Sequence, residues 1–112
     1  MIARVDRRRT FEGLRRDGRR VRHGSVRLNF LPLDTPAPQV AFALGRSFGN
    51  AVERNRGRRR LRAAFIEAFS AGGHAPGAYL LTGNRGLLTD RYDVLVADVG
   101  RCLDKLRPVP AL

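Results

Sequence analysis

Residues 49–71 have the sequence GNAVERNRGRRRLRAAFIEAFSA, and this stretch decides which fold the chain can adopt. In its second half Leu61, Phe65 and Phe69 recur every four residues, which is the spacing of one apolar stripe on a helix. The Gly-Asn pair at its start interrupts the apolar run before it, so a helix is predicted over residues 51–71. A helix with a single apolar stripe must bury that stripe against another layer of structure.

Outward from this helix, three short segments have the length and pattern of strands. Residues 26–30 alternate between apolar and polar side chains, and residues 40–44 and 78–82 are short apolar runs bounded by Pro and Gly. Helical spacing predicts two more helices, one over residues 10–18 and one over residues 89–106. We therefore expect an α+β fold, a two-layer α/β sandwich in which the helices pack on one face of a small mixed sheet.

The chain of 112 residues is long enough for one modest core and contains no internal linker, so we predict a single domain over residues 1–112. Residues 1–9 are basic and have few apolar side chains, which predicts a flexible basic arm. The formal net charge is +12, and it is unevenly distributed. Residues 1–62 carry 17 of the 22 basic side chains with five acidic ones, whereas residues 63–112 are neutral overall. This excess favours a polyanionic partner.

Several classes of function are disfavoured by what the sequence lacks. A single cysteine, Cys102, excludes an internal disulfide and a cysteine-based zinc site. His23 and His74 are far apart and have no partners at metal-ligand spacing, so we expect neither metal ligands nor catalytic side chains. No apolar run approaches the ~20 residues of a membrane span, and no signal-peptide core is present at the start. We expect a soluble, cytoplasmic protein without a membrane partner.

The first half of the central helix is unusual because its positive charge faces every direction. Six arginines fall within nine residues, namely Arg54, Arg56, Arg58, Arg59, Arg60 and Arg62. At about 100° per residue they surround the helix, whereas a solvated face would need only one side. Their five i,i+3 and i,i+4 repulsions cost about 1–2.5 kcal/mol in total. A polyanion would reverse the sign of this cost, so the pattern favours binding of nucleic acid or polyphosphate. It does not separate RNA from DNA.

The run from Gly49 to Arg62 resembles the signature of the bacterial ribonuclease P protein family, in which Gly-Asn-Ala-Val leads into Arg-Asn-Arg and a basic cluster ending in Leu-Arg. The resemblance implies the element order α-β-β-β-α-β-α. It also implies a protein subunit that binds a large catalytic RNA and precursor tRNA, and supports endonucleolytic removal of the 5′ leader. The RNA subunit is expected to carry the catalysis and to hold most of the Mg²⁺, with no further protein partner required.

The resemblance also implies which side chains contact RNA. The residues expected to face the catalytic RNA are Arg46, Asn50, Arg54, Asn55, Arg56, Arg58, Arg59, Arg60 and Arg62. The residues that match a leader-binding cleft between the first helix and the sheet are Phe11, Arg15, Arg27 and Asn29. Two of these cleft positions, Arg15 and Asn29, are often aromatic in relatives, which leaves Phe11 as the main stacking platform. Phe11 can equally be explained as a core residue.

Two other functions remain as alternatives. A stand-alone protein nuclease would need clustered carboxylates or a histidine pair, but the acidic residues are scattered. Their nearest group, Asp90, Asp93, Asp98 and Asp104, is spread over a predicted amphipathic helix. A structural RNA-binding module, such as a small ribosomal protein, fits the size and charge but not the Arg-Asn-Arg signature. The oligomeric state and the preferred leader sequence are left open.

Overall fold

Five strands form one mixed sheet in the computed structural model, which describes residues 3–72 and 74–106. The strands are β1 (Ala3–Arg4), β2 (Arg19–His23), β3 (Val26–Pro32), β4 (Gln39–Phe42) and β5 (Gly77–Gly83). Their spatial order is β1-β4-β5-β3-β2. Strand β4 pairs in parallel with both β1 and β5, whereas β3 pairs antiparallel with β5 and β2. The α+β class and the mixed sheet are confirmed.

The helices lie on both faces of this sheet, and the prediction that they share one face is wrong. They are α1 (Arg8–Arg16), α2 (Ala51–Ser70), α3 (Gly86–Thr89) and α4 (Tyr92–Leu106). Helices α2 and α4 cover one face and build the larger core with Leu61, Phe65 and Val99. Helix α1 covers part of the other face, where Leu14 builds a smaller core. The two faces are called the α2 face and the α1 face below.

Strand β5 explains why both faces need a helix. Its first five residues are all buried. Tyr79 and Leu81 belong to the core on the α2 face, whereas Ala78 and Leu80 belong to the core on the α1 face. Because side chains alternate along a strand, a continuous apolar run buries two faces rather than one. The strand from Ala78 to Leu81 therefore needs a packing partner on each face of the sheet.

The N-terminal part of the chain is more ordered than its composition predicts. In place of the expected flexible arm, residues 3–9 form strand β1, a short connection and the first residues of helix α1. Val5 causes this order, because its side chain is 3% exposed in the smaller core and its backbone amide donates to Val40. Residues 1 and 2 of the predicted arm lie outside the described residues.

The remaining elements agree with the expected order and add to it. All seven elements implied by the resemblance are present, with β1 and the short helix α3 in addition. Strand β2 was not predicted from the periodicity of apolar residues, because Val21 is its one aliphatic residue. It forms a hairpin with β3 through a two-residue turn in which Gly24 has φ +57°, a conformation that glycine adopts readily.

Gly57 inside helix α2 is explained by close packing. A Cβ atom at this position would lie 2.8 Å from the ring of Phe48 and 3.0 Å from Leu44. Both of these side chains are buried. A glycine in a helix interior costs about 1 kcal/mol relative to alanine. In return, the missing side chain at Gly57 allows the loop before α2 to pack directly against the helix backbone, beneath the arginines.

Among the described residues, no helix has the length and apolar character that a membrane span requires.

Candidate nucleic-acid interface

The start of helix α2 is held by a reciprocal capping arrangement. The side-chain oxygen of Asn50 accepts a hydrogen bond of 2.9 Å from the backbone amide of Glu53. In return, the Glu53 carboxylate accepts one of 3.1 Å from the backbone amide of Asn50. This capping box satisfies two backbone donors at the helix end and is typically worth about 1 kcal/mol. Asn50, which was predicted to contact RNA, therefore places the helix that carries the arginines.

Arg85, directly before helix α3, completes this network from a distant part of the sequence. Its guanidinium donates to Glu53 Oε2 and to the carbonyl oxygen of Phe48, each at 2.7 Å. Gly49 leaves the room that this needs, since a Cβ atom there would lie 2.5 Å from Glu53 Oε1. The sequence reasoning missed Arg85. The Asn50-x-x-Glu53 spacing indicates the capping box, but no local signal connects it to Arg85.

Two hydrogen bonds lower the pKa of the Glu53 carboxyl below its ordinary value. The bond from Arg85 has the larger effect, and the bond from the backbone amide of Asn50 has the next largest. A lowered folded-state pKa contributes stability at pH values above the unfolded-state pKa. That contribution is lost as the pH falls through the lower, folded-state value. Protonation of Glu53 in acid should therefore loosen the start of helix α2.

Replacing Arg85 with glutamine should raise the Glu53 pKa toward its ordinary value, because the largest lowering influence is removed. An NMR titration of the Glu53 side-chain carbon would measure this change. Arg91→Gln is the matched control, since Arg91 pairs with Asp93 at 3.1 Å and not with Glu53. The same Glu53 pKa in wild type and Arg85→Gln would contradict the network.

The arginines of α2 divide into exposed and partly buried groups. Arg56, Arg59 and Arg62 are exposed, as is Asn55 just before them, whereas Arg54, Arg58 and Arg60 are partly buried. In the described part of the chain, none of the six arginines forms an ion pair with a carboxylate. Carboxylates in the described part of the chain therefore do not neutralise this positive charge. Its electrostatic field can act on a polyanion.

Arg60 differs from the other five because its donors point into the protein. It donates to the carbonyl oxygen of Leu87 at 2.6 Å and also to that of Asp90. These carbonyls belong to helix α3 and the residue that ends it, so Arg60 joins α2 to α3. Arg58 has a local partner instead, since it donates to the side-chain oxygen of Asn55 at 2.8 Å. Arg46 is exposed in the loop before α2.

The predicted leader-binding residues all lie on the α1 face but do not line one cavity. A cleft of about 700 Å³ opens between helix α1, strands β1 and β4, and helix α2, and we call it the Phe11 cleft. Its lining is Ala3, Arg4, Val5, Phe11, Val40, Ala41, Phe42, Arg58 and Arg62. The fold thus brings Phe11 beside two arginines of the α2 helix. The half-buried Phe11 ring packs on the smaller core and also lines this cleft.

The other three predicted cleft residues have different surroundings. Arg15 is exposed one turn after Phe11, and both line a smaller neighbouring cavity of about 450 Å³. Asn29 donates a hydrogen bond of 3.2 Å to the carbonyl oxygen of Leu14, so its side chain joins the sheet to helix α1. Arg27 is exposed on the interior strand β3, outside the Phe11 cleft.

The acidic side chains of the described residues do not gather into a three-ligand metal cluster. Across residues 3–72 and 74–106, no three His, Cys, Asp or Glu side chains gather closely enough to hold a metal ion.

Comparisons with known proteins agree on one family. The family model for ribonuclease P matches residues 2–107. The ribonuclease P protein component of Acidothermus cellulolyticus is 50% identical over 54 residues, which are 46% of this chain and 45% of the relative. That of Paramagnetospirillum magneticum is 34% identical over 74 residues, or 66% of this chain and 56% of the relative. The chain thus aligns with about half the length of these relatives.

The fold is also similar to that of a solved structure. The ribonuclease P protein from Thermotoga maritima superimposes with a TM-score of 0.80. The superposition covers 94% of this chain and 98% of that one, at 15% sequence identity. At this identity the likeness shows a shared fold.

Proposed function

The chain belongs to the bacterial ribonuclease P protein family, and we propose that it acts in the cytoplasm as the protein subunit of a ribonuclease P holoenzyme. In this role it binds the catalytic RNA and the 5′ leader of precursor tRNA, and supports endonucleolytic removal of the leader. The observation that carries the proposal is the arginine-rich half of helix α2. Its arginines surround the helix and lack carboxylate partners in the described part of the chain.

The helix geometry suits binding of a phosphate backbone. Arg56, Arg59 and Arg62 are exposed on the second to fourth turns of the helix, and their i,i+3 spacing makes them neighbours on its surface. A guanidinium can grip a phosphate with two parallel hydrogen bonds and is always charged. The capping box and Arg85 fix the start of the helix, so these arginines meet the RNA in a defined orientation. The protein then loses less conformational freedom when it binds RNA.

The Phe11 cleft suits a single-stranded segment. Phe11 offers a ring on which a base can stack, and such stacking is worth about 1–3 kcal/mol. Arg58 and Arg62 line the same cleft and can neutralise the phosphates of the stacked nucleotides. This arrangement supports a role in holding the leader close to the surface that binds the catalytic RNA.

In this proposal the RNA subunit cleaves the phosphodiester bond, and Mg²⁺ bound mainly by that RNA supplies the Lewis-acid chemistry. The residues of this chain bind and position. They lower the electrostatic cost of bringing two polyanions together, which is largest when divalent ions are scarce. A protein that acts in this way should matter most at low Mg²⁺.

Mixing the chain with its cognate ribonuclease P RNA and a precursor tRNA at low Mg²⁺ tests the proposal. We expect leader cleavage that requires both components. Cleavage by the protein alone would instead indicate a protein nuclease. Binding of RNA without any gain in cleavage would indicate a structural RNA-binding module, and both outcomes would overturn the proposal.

A further inference from the structure

Val52, in the first turn of helix α2, is the most exposed large apolar side chain in the described part of the chain. It is 77% exposed, whereas the next, Val94 on helix α4, is 43% exposed. The residues around it at the helix start are short or polar, namely Asn50, Ala51 and Glu53. An aliphatic side chain therefore stands in water beside the arginines, where it gains almost no burial in the isolated protein.

Helical geometry points Val52 away from the core and toward the exposed arginines. At about 100° per residue, Leu61 lies about 180° from Val52 around the helix axis, and Leu61 is fully buried. Arg56 and Arg59 lie within about 40° of the direction of Val52. Val52 is therefore the first member of an exposed row that contains two arginines assigned to RNA by the proposed function.

Within the described residues, the folded protein gives the Val52 side chain no structural role. It belongs to neither core cluster. A hydrophobic staple would join the residue before the N-cap to the fourth residue of the helix, but these are Gly49 and Arg54. Valine is also a poorer helix former than alanine, because its branched Cβ restricts χ1. Valine at this position thus slightly lowers the stability of the helix.

Single apolar side chains are common on protein surfaces, so the surroundings of Val52 are what distinguish it. The capping box and Arg85 fix the start of the helix, and valine has one strongly preferred rotamer there. Val52 is therefore a short and rigid projection, whereas each arginine carries its charge at the end of a flexible stem. RNA attracted by the arginines can approach the helix most closely at its start, where Gly49, Asn50 and Ala51 are small.

RNA offers apolar surface that a short aliphatic side chain can reach. The wide, shallow minor groove of an RNA helix exposes riboses and base edges, and loops expose unstacked bases. We infer that Val52 packs against ribose or base carbons of the catalytic RNA and sets how closely helix α2 approaches it. This inference rests on the proposed function. It adds to a charged interface one contact whose strength does not depend on the release of counterions.

Val52→Ala separates RNA binding from folding. Removal of two methyl groups from the contact should weaken binding of the cognate ribonuclease P RNA about 15-fold. The slope of log K against log salt should stay at its wild-type value, because no charge is removed. The melting temperature should stay the same or rise, because alanine is the better helix former. Filter-binding titrations at several salt concentrations and thermal unfolding would measure these quantities.

Two further variants sharpen the test. Val94→Ala is the matched control, because it removes the same atoms from an exposed valine on helix α4, and it should bind the RNA as the wild type does. Val52→Thr keeps the branched shape but replaces one methyl group with a hydroxyl. It should weaken binding about fourfold.

Three results would overturn the inference. The first is wild-type affinity in Val52→Ala, and the second is a reduced salt slope, since phosphate contacts would then have been lost instead. The third is unchanged binding of the catalytic RNA with weaker binding of precursor tRNA by the assembled holoenzyme, which would place the contact on the substrate. Failure of the proposed function differs from all three, because the wild-type protein would then not support cleavage by this RNA.

Discussion

Replacing both Arg56 and Arg59 with alanine should weaken binding of the ribonuclease P RNA about 20- to 60-fold at ~0.1 M salt and flatten its salt dependence. Both side chains are exposed on the arginine-rich half of helix α2, where they can contact phosphates. Two lost phosphate contacts should reduce the slope of log K against log salt by about 1.4–1.8. Filter-binding titrations at several salt concentrations would measure both quantities.

The matched control removes the same charge from another surface. Arg91 lies just before helix α4 and Arg101 lies on that helix, and both are exposed. Their double alanine variant should therefore have nearly the wild-type slope. Arg60→Ala offers a second contrast. Because Arg60 donates to the carbonyl oxygens of Leu87 and Asp90, its loss should lower stability more than it changes the salt slope. An unchanged slope in the Arg56/Arg59 variant would remove these two residues from the RNA interface.

Replacing Phe65 with alanine should lower the free energy of unfolding by about 3–5 kcal/mol. Phe65 is fully buried, and its ring centroid lies 5.3 Å from that of Phe69 and 5.7 Å from that of Tyr79. The contact with Tyr79, on strand β5, fixes helix α2 to the sheet. For a domain near 100 residues the melting temperature should fall by roughly 12–40 °C, measured by thermal unfolding followed by circular dichroism.

Ile66→Ala is the matched control for Phe65→Ala. Ile66 is the next residue on the same helix but is 38% exposed, so its loss should cost no more than about 1 kcal/mol. Equal destabilisation by the two variants would contradict the assignment of Phe65 to the core. A folded Phe65→Ala protein with full RNA affinity at low temperature would still agree with it, because the exposed arginines are retained.

Helix α2 is the element that the sequence predicted best. Its observed bounds, Ala51–Ser70, differ by one residue from the predicted range. Leu61 and Phe65 are buried as their spacing predicts, and Phe69 packs against the same core. Such features depend on neighbours within a few residues, and periodicity reports them directly. The distribution of the arginines around the helix circumference was predicted from the same helical geometry.

Contacts between distant segments could not be predicted in this way. Arg85 meets Glu53 across 32 positions of sequence, and Arg60 reaches the carbonyl oxygen of Leu87 across 27. Neither pair has a local signature, because the partners become neighbours only when the sheet has formed. The place of helix α1 is a similar case, since its apolar stripe fits either face of a sheet. The choice was made by strand β5, which buries both of its faces.

The sequence by itself thus determined the α+β class, the arginine-rich helix and the family resemblance, because composition, periodicity and motif spacing are properties of short segments. Only the tertiary structure decided which arginines face outward, which hold the protein together, and that Phe11 shares a cleft with Arg58 and Arg62. Those outcomes depend on how the sheet orders its strands and on which side chains pack beneath the helix. The physical reason is that burial and hydrogen-bond partners are settled by packing among all the elements together.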